Sequence, residues 1–418
     1  MDGDHSDYLP RKMQEALEVA LKDTPVVCVL GARQVGKSTL VRRLAPERAF
    51  ISLDEEPFAR TAKADPEGFV NGLPEFVTLD EVQRVPELMP AIKLAVDRDR
   101  RPGRFVLTGS ANLLLLPTLT ESLAGRMEIL RLHPFTEAEK DGQEGAFLRG
   151  LLAGKLRPEI KSSDPYSGQA LVKRLLAGGY PEAFQRTPDR ARVWHRQYLE
   201  AIMERDVRDV AQIRDVEGLA RTLELLAQQG ASLLNVSELG KALALARATV
   251  DHYLAVLQRL FLVRLLPAWH RNHAKRLVKA PKVHLTDSGL AATLMDLHEE
   301  DWNTNRARYG HLLESFVIQQ LRAQAAWTDP ALKLFHYRDK DQVEVDCVMT
   351  RGSRVWGVEV KASQSVGERD VKGLVRLADQ AGQGFERGII LYGGSSIIRL
   401  GDDRFHAVPI SKLWEPQQ

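Results

Sequence analysis

Gly31-Ala32-Arg33-Gln34-Val35-Gly36-Lys37-Ser38 fits the phosphate-binding pattern G-x-x-x-x-G-K-[ST] at every fixed position. The run before it, Val26-Val27-Cys28-Val29-Leu30, is apolar and β-branched and predicts a buried strand. The run after it, Thr39-Leu40-Val41-Arg42-Arg43-Leu44, predicts a helix. Strand, glycine loop and helix N-terminus thus come in the order that phosphate binding needs. The glycines let the backbone curl so that its N–H groups face phosphate oxygens, and the helix N-terminus adds partial positive charge. On this reading the loop through Thr39 cradles ATP, Lys37 reaches the β- and γ-phosphates, and the Ser38 hydroxyl ligates Mg²⁺.

Working outward, apolar strands and helices alternate, which predicts a parallel sheet with helices on both faces. Phe50-Ile51-Ser52-Leu53 ends at Asp54, Phe76-Val77-Thr78-Leu79 ends at Asp80-Glu81, and Phe105-Val106-Leu107-Thr108 ends at Gly109-Ser110. The C-terminal ends of such strands line the ligand crevice. Behind a phosphate loop, Asp80 is expected to hold Mg²⁺ through its water shell, and Glu81 to orient the attacking water. Thr108, Ser110 and Asn112 form a polar cluster after the next strand. Ser110 is the chosen γ-phosphate sensor; the plainer reading is a strand-to-helix cap.

Several runs together resemble one family. They are the glycine loop through Thr39, Leu79-Asp80-Glu81-Val82-Gln83, Leu107-Thr108-Gly109-Ser110, and Gly125-Arg126 with Leu132-His133-Pro134-Phe135. Gly178-Gly179-Tyr180-Pro181-Glu182 and the pair Arg205-Asp206 extend the resemblance along nearly the whole chain. The family comprises prokaryotic AAA-type ATP-binding proteins with a C-terminal domain of unknown function. The resemblance implies an ATPase core related to the AAA+ class, a winged-helix segment and a nuclease-like terminal domain. It also implies an arginine supplied across a subunit boundary, and so a homo-oligomer. Arg126 stands where the family pattern places that arginine, and Arg84 is its rival.

The composition is that of an ordinary globular chain, with 418 residues, 44% hydrophobic and 27% charged, and a net charge of +2. That balance is not the footprint of a protein coated in nucleic acid, although a local basic groove fits within it. Cys28 and Cys347 both lie in apolar runs and are expected to be buried free thiols of a reducing compartment. The N-terminus is acidic and polar, unlike a signal peptide, and no run is apolar enough for a membrane span. The expected location is cytoplasmic, with no membrane partner.

The middle of the chain reads as helical. In the stretch of about 170–215, Arg192, Arg196, Arg205 and Arg208 are offset by Glu200, Glu204, Asp206 and Asp209, which suits a solvated helix face. Residues 217–265 then give three short helices followed by a strand, the order of a winged helix-turn-helix. Ser237 is the expected cap of the second helix. Arg247, Thr249 and His252 lie on the third, the recognition-type helix. A basic stretch with an aromatic follows, from Trp269 through Arg271, Lys275 and Arg276 to Lys282, and would serve as a wing tracking DNA phosphates. A winged helix used only for packing is the alternative.

Near the C-terminus, Glu314 lies on an amphipathic helix, Asp346 on an alternating strand, and Glu359 and Lys361 two residues apart on another. Residues at i and i+2 of a strand share a face. Three carboxylates and a lysine on one face suit a hard, oxygen-seeking cation. Asp346, Glu359 and Glu314 are the expected Mg²⁺ ligands, with Lys361 activating water and Glu359 sharing in catalysis. The order helix-Glu, strand-Asp, strand-Glu-x-Lys resembles the PD-(D/E)xK nuclease superfamily, with Val345-Asp346 where that superfamily's proline-aspartate pair would stand. Arg338 is expected to support the site or to bind phosphate.

The expected architecture is therefore α/β. It comprises an AAA-type P-loop ATPase (1–140), a helical connecting segment (141–216), a winged-helix-like segment (217–300) and a nuclease-like domain (301–418). The expected function is ATP binding and hydrolysis coupled to DNA binding and remodelling or processing. The alternatives are a slow nucleotide switch with a silent C-terminal module, or an ATP-licensed defence or toxin nuclease.

Overall fold

The computed structural model describes residues 8–44, 46–110, 123–207, 213–272 and 279–415. The chain forms two compact units. The first comprises Met1–Phe135, Ala201–Arg214 and Ala255–Leu262, and the second Thr136–Glu200, Asp215–Leu254 and Val263–Gln418.

The first unit is built on a five-stranded, all-parallel sheet. Its strands are β1 (Val26–Leu30), β2 (Ala49–Ser52), β3 (Val77–Asp80), β4 (Phe105–Gly109) and β5 (Met127–Arg131), in the order β2-β3-β4-β1-β5. β1 lies between β4 and β5 and every one of its residues is buried. This is why it reads as an unbroken apolar run rather than an alternating one. The register pairs Leu30 with Gly109 and Ser52 with Asp80, so the ends of four strands arrive at one edge. The sequence predicts this parallel α/β sheet, and the structure agrees.

The second unit holds a six-stranded sheet of β8 (Lys333–Arg338), β9 (Glu344–Arg351), β10 (Arg354–Lys361), β11 (Phe385–Tyr392), β12 (Ile398–Arg399) and β13 (Phe405–Pro409). β8, β9 and β10 pair antiparallel, and β10, β11 and β13 pair parallel. The long helix Arg306–Thr328 precedes β8, and the helix Lys372–Ala381 lies between β10 and β11. Two apolar cores result. One joins Leu313, Phe316 and Val317 to Met349, Trp356 and Ile389. The other joins Leu374 and Leu377 to Val345, Val355 and Ile390. β9 is accordingly buried along almost its whole length, where the sequence pattern suggests alternation. A sheet covered on both faces has no solvent side for polar residues.

The helices Val216–Gln228 and Val236–Leu243 of the second unit are followed by Arg247–Arg259, whose residues from Ala255 on are assigned to the first unit, and then by β6 (Val263–Leu266) and β7 (Lys282–Leu285) of the second, which pair antiparallel. The opposite edge of β7 is also engaged. Ala231 N–H donates to Val283 O (2.8 Å), Val283 N–H to Ser232 O (3.0 Å) and Leu234 N–H to Pro281 O (2.8 Å). Asn235, not Ser237, caps the second helix, its Oδ1 accepting the Glu238 N–H at 3.2 Å. Both residue types suit the position, but only Asn235 stands outside the first turn. At Gly240 a Cβ would lie 2.9 Å from Leu245 O, so glycine permits the tight turn into the next helix.

The Gly178-Gly179-Tyr180-Pro181 run is explained by packing. Asp287 caps the helix Ser288–Leu294, accepting the Leu290 N–H (2.9 Å) and also the Gly179 N–H (2.7 Å). A Cβ at Gly178 would meet Asp287 Oδ1 at 2.3 Å. Cys28 and Cys347 are both buried free thiols, each pushed up to about 12 by burial. Among the described residues no helix is long and apolar enough to cross a membrane.

Candidate functional site

At the C-terminal end of β1 the chain turns sharply. A Cβ on Gly31 would lie 2.3 Å from the Leu132 carbonyl oxygen, so only glycine lets the loop pass the end of β5. Gln34 and Gly36 have φ of 60° and 93°, which curls the loop back before the helix Lys37–Leu44 begins. Lys37 is buried and its Nζ donates to Ala32 O at 3.0 Å, closing the loop on itself. Burial lowers the Lys37 pKa, and the carboxylates Glu81 and Asp80 oppose that shift.

Ser38 Oγ donates to Asp80 Oδ1 at 2.8 Å, and the Thr108 hydroxyl donates to the same carboxylate. Burial raises the Asp80 pKa, and these two hydrogen bonds hold it back. Glu81 sits in the left-handed region (φ 56°, ψ 47°), an uncommon conformation for a side chain of this size. It is fixed on several sides. Its N–H donates to Thr108 Oγ1 (3.2 Å), its Oε2 accepts the Ser110 N–H (3.2 Å), and Gln83 Nε2 donates to that same oxygen. Gln83 Nε2 also lies 2.9 Å from Ser110 Oγ. The structure thus gathers Lys37, Ser38, Asp80, Glu81 and Ser110, and adds Gln83 and Thr108 as their supports.

Sequence reasoning gave no role to two further braces. The Arg11 guanidinium donates to Val35 O (2.6 Å) and His133 O (2.5 Å) and lies over the Phe135 ring, 4.2 Å from its centroid. This accounts for Leu132-His133-Pro134-Phe135 as the seat of the loop. Arg33, inside the loop, pairs with Asp206. Asp206 ends a π-helical turn, Ile202–Asp206, a local widening that often marks functional positions. The signal for this second brace was present only as the unexplained pair Arg205-Asp206.

The candidate trans arginines both have partners on their own chain. Arg126 Nε donates to Asp97 Oδ1 (2.5 Å) and holds that carboxyl below its ordinary range, while Arg84 Nε donates to Asp54 Oδ1 (2.5 Å). Asn112, Arg208, Asp209, Lys275 and Arg276 lie outside the described residues.

In the second unit the strand fork between β9 and β10 carries the other cluster. Their ladder ends at Cys347 and Val358, and just beyond it Asp346 Oδ2 accepts the Val360 N–H at 2.9 Å. Glu359 pairs with Lys361 at 2.8 Å, and Glu344 with Arg338 at 3.0 Å. Burial, with Asp346 adding to it, pushes the Glu359 carboxyl up to about 8. At the centre stands a residue the sequence reading placed in a wing. Lys282 Nζ lies 2.7 Å from Glu314 Oε1, 3.4 Å from Asp346 Oδ1 and 3.5 Å from Glu344 Oε2. Two of the three expected cation-binding carboxylates, Glu314 and Asp346, therefore meet an ammonium, which Glu344 joins, while the third, Glu359, pairs with Lys361. Among the described residues no group of three or more His, Cys, Asp and Glu is placed to hold a metal ion.

Residues 23–140 match the AAA domain family, 168–301 a domain of unknown function (DUF8612), and 309–413 another domain of unknown function (DUF4143). The uncharacterized proteins Mb2031c of Mycobacterium bovis and Rv2008c of Mycobacterium tuberculosis are each 31% identical over 354 residues, 84% of this chain and 73% of theirs. Among solved structures, a Walker-type ATPase of Pyrococcus abyssi is similar at a TM-score of 0.40 and 17% identity, covering 70% of this chain and 97% of its own. The Thermotoga maritima RuvB Holliday junction branch migration motor is similar at 0.30 and 18%, covering 64% and 93%.

Proposed function

The chain belongs to the family of the mycobacterial proteins Mb2031c and Rv2008c, and from that premise we propose that it is an AAA-type ATPase that binds and remodels DNA. The observation that carries the ATPase reading is the Ser38 to Asp80 hydrogen bond of 2.8 Å, set beside a buried Lys37 that caps its own loop. These donors and acceptors fit a nucleotide with Mg²⁺. Lys37 exchanges the Ala32 carbonyl for β- and γ-phosphate oxygens. Ser38 and Asp80 are the residues that hold Mg²⁺, which neutralises phosphate charge when bound. The loop from Gly31 through Ala32, Arg33, Gln34, Val35 and Gly36 to Thr39 offers backbone N–H groups to the phosphates. Glu81 orients the attacking water with one oxygen while Ser110 and Gln83 hold the other. Ser110 is well placed in this network to register the γ-phosphate. Arg126 acts in trans in a homo-oligomer after leaving Asp97.

The DNA-binding reading is supported by the order helix, helix, helix, β6 and β7, with a single bridge from Leu233 to Lys282 on the far edge of β7, which is the order of a winged helix. Arg247 and His252 are exposed on its third helix. The order helix, three antiparallel strands, helix, parallel strand in the C-terminal segment supports a nuclease-like fold. On this view the domains run 1–140, 141–216, 217–300 and 301–418.

The experiment is the ATP hydrolysis rate with Mg²⁺ alone and with single-stranded, duplex or branched DNA, in the wild type, Lys37→Ala and Glu81→Gln. Stimulation by one DNA form, absent from both variants, is the expected result. A rate that no DNA form changes overturns the DNA-driven reading. It favours a second one, a nucleotide switch with a silent C-terminal module. The ammonium of Lys282 inside the carboxylate cluster is the observation on that side.

A further inference from the structure

The carboxylates that a nuclease of this kind would use for metal are already neutralised by the chain itself. Lys282 is 3% exposed and begins β7, where it is held by pairing with Leu266 on one side and Leu233 on the other. From there its side chain reaches Glu314 of the long helix, 32 residues on, and Asp346 of β9, 64 residues on. An ammonium has three N–H donors, and three carboxylates meet this one. Most of the remaining oxygens are served as well, and Glu359 Oε2 is the one buried carboxylate oxygen of the cluster without a partner among the described residues. Asp346 Oδ2 has the Val360 N–H, Glu344 has Arg338, and Glu359 has Lys361. Four carboxylates thus face three cations.

A divalent ion needs oxygen ligands at about 2.0–2.5 Å in a shell of at least six. An ammonium that already bonds those oxygens competes for their lone pairs and repels a second positive charge across a poorly screened interior. Lys282 Nζ stands within ion-pair distance of all three carboxylates. The donor set therefore fits a resident ammonium and not a metal.

We propose that Lys282 is a built-in cation that takes the place of a divalent metal ion among Glu314, Glu344 and Asp346. The C-terminal domain is then a metal-free module that does not cleave nucleic acid. Its carboxylate cluster ties β7 to the long helix and to the fork of the six-stranded sheet. This rests on the nuclease-like reading of the C-terminal fold but not on ATP hydrolysis.

The test uses the full chain without nucleotide, so the outcome is independent of the phosphate loop. Mn²⁺ is titrated and followed by electron paramagnetic resonance, in the wild type, Asp346→Asn, Lys282→Met and Lys282→Met/Asp346→Asn. Identical Mn²⁺ isotherms for wild type and Asp346→Asn are expected. Lys282→Met should gain one site, at least tenfold tighter than any in the wild type, and the double variant should lose it. A wild-type Mn²⁺ site that Asp346→Asn abolishes overturns the proposal. So does a folded Lys282→Met that gains no site. Should Lys282→Met not fold, the wild-type and Asp346→Asn pair decides alone. Cleavage of DNA by the wild type with Mg²⁺ or Mn²⁺, lost in Asp346→Asn, overturns it equally.

Discussion

Lys37 carries the largest single expectation at the level of one side chain. It is buried in the loop with its Nζ on the Ala32 carbonyl, and on the proposed reading it moves from there to phosphate, so Lys37→Ala removes a charge-assisted bond of about 1.5–3 kcal/mol. Nucleotide affinity should fall about 10- to 150-fold by calorimetry; unchanged affinity would remove this loop from the binding site. Glu81→Gln is the complementary variant. It keeps the hydrogen-bonding shape but not the base, so ATP should still bind while turnover drops by about a hundredfold or more. The sequence made both residues legible as candidates because their proposed roles follow from a local motif. It did not make Asp206 legible as a partner of Arg33, 173 positions away, since no local pattern links them.

Single elements are set by close contacts. The turn out of β1 depends on Gly31 passing the Leu132 carbonyl, where an added Cβ would sit at 2.3 Å. Gly31→Ala should therefore displace the loop and weaken nucleotide binding at least as much as Lys37→Ala does. Retained affinity would show that β5 can yield there. At the helix Val236–Leu243 the cap is Asn235. Asn235→Ala should cost about 1 kcal/mol in urea unfolding, and Ser237→Ala much less; the reverse ranking would restore Ser237 as the cap. The element types were legible from periodicity here, and only the cap position was not. Asparagine and serine are both good caps, and which one stands outside the first turn is decided by where the preceding segment leaves β7.

For the whole molecule, the division into two compact units predicts two unfolding transitions. ATP with Mg²⁺ should raise only the one that contains the phosphate loop, by mass action, and Lys37→Ala should erase that rise in a calorimetric scan. The second unit should be the acid-sensitive one. His195, His284 and His336 are all buried there, and burial lowers the pKa of each. His336 falls to about 4; its Nε2–H donates to Ala280 O at 3.1 Å, while its Nδ1 has no partner among the described residues. The unfolded chain binds this proton near pH 6.5 and the folded one only near 4, so stability is complete above 6.5 and lost as pH falls toward 4. The drop corresponds to about 3 kcal/mol for His336 alone. His336→Gln should flatten the pH dependence of the second transition by about that amount; an unchanged slope would place the titration elsewhere. The sequence by itself determined the phosphate loop, the parallel sheet that presents it and the order of the elements that follow. Those features depend on local motifs and on hydrophobic periodicity, which the order of residues carries directly. Only the tertiary structure decided that Asp206 braces the loop and that Lys282 fills the carboxylate cluster. Both are pairings between distant elements, and burial in a poorly screened interior is what gives such pairings their strength.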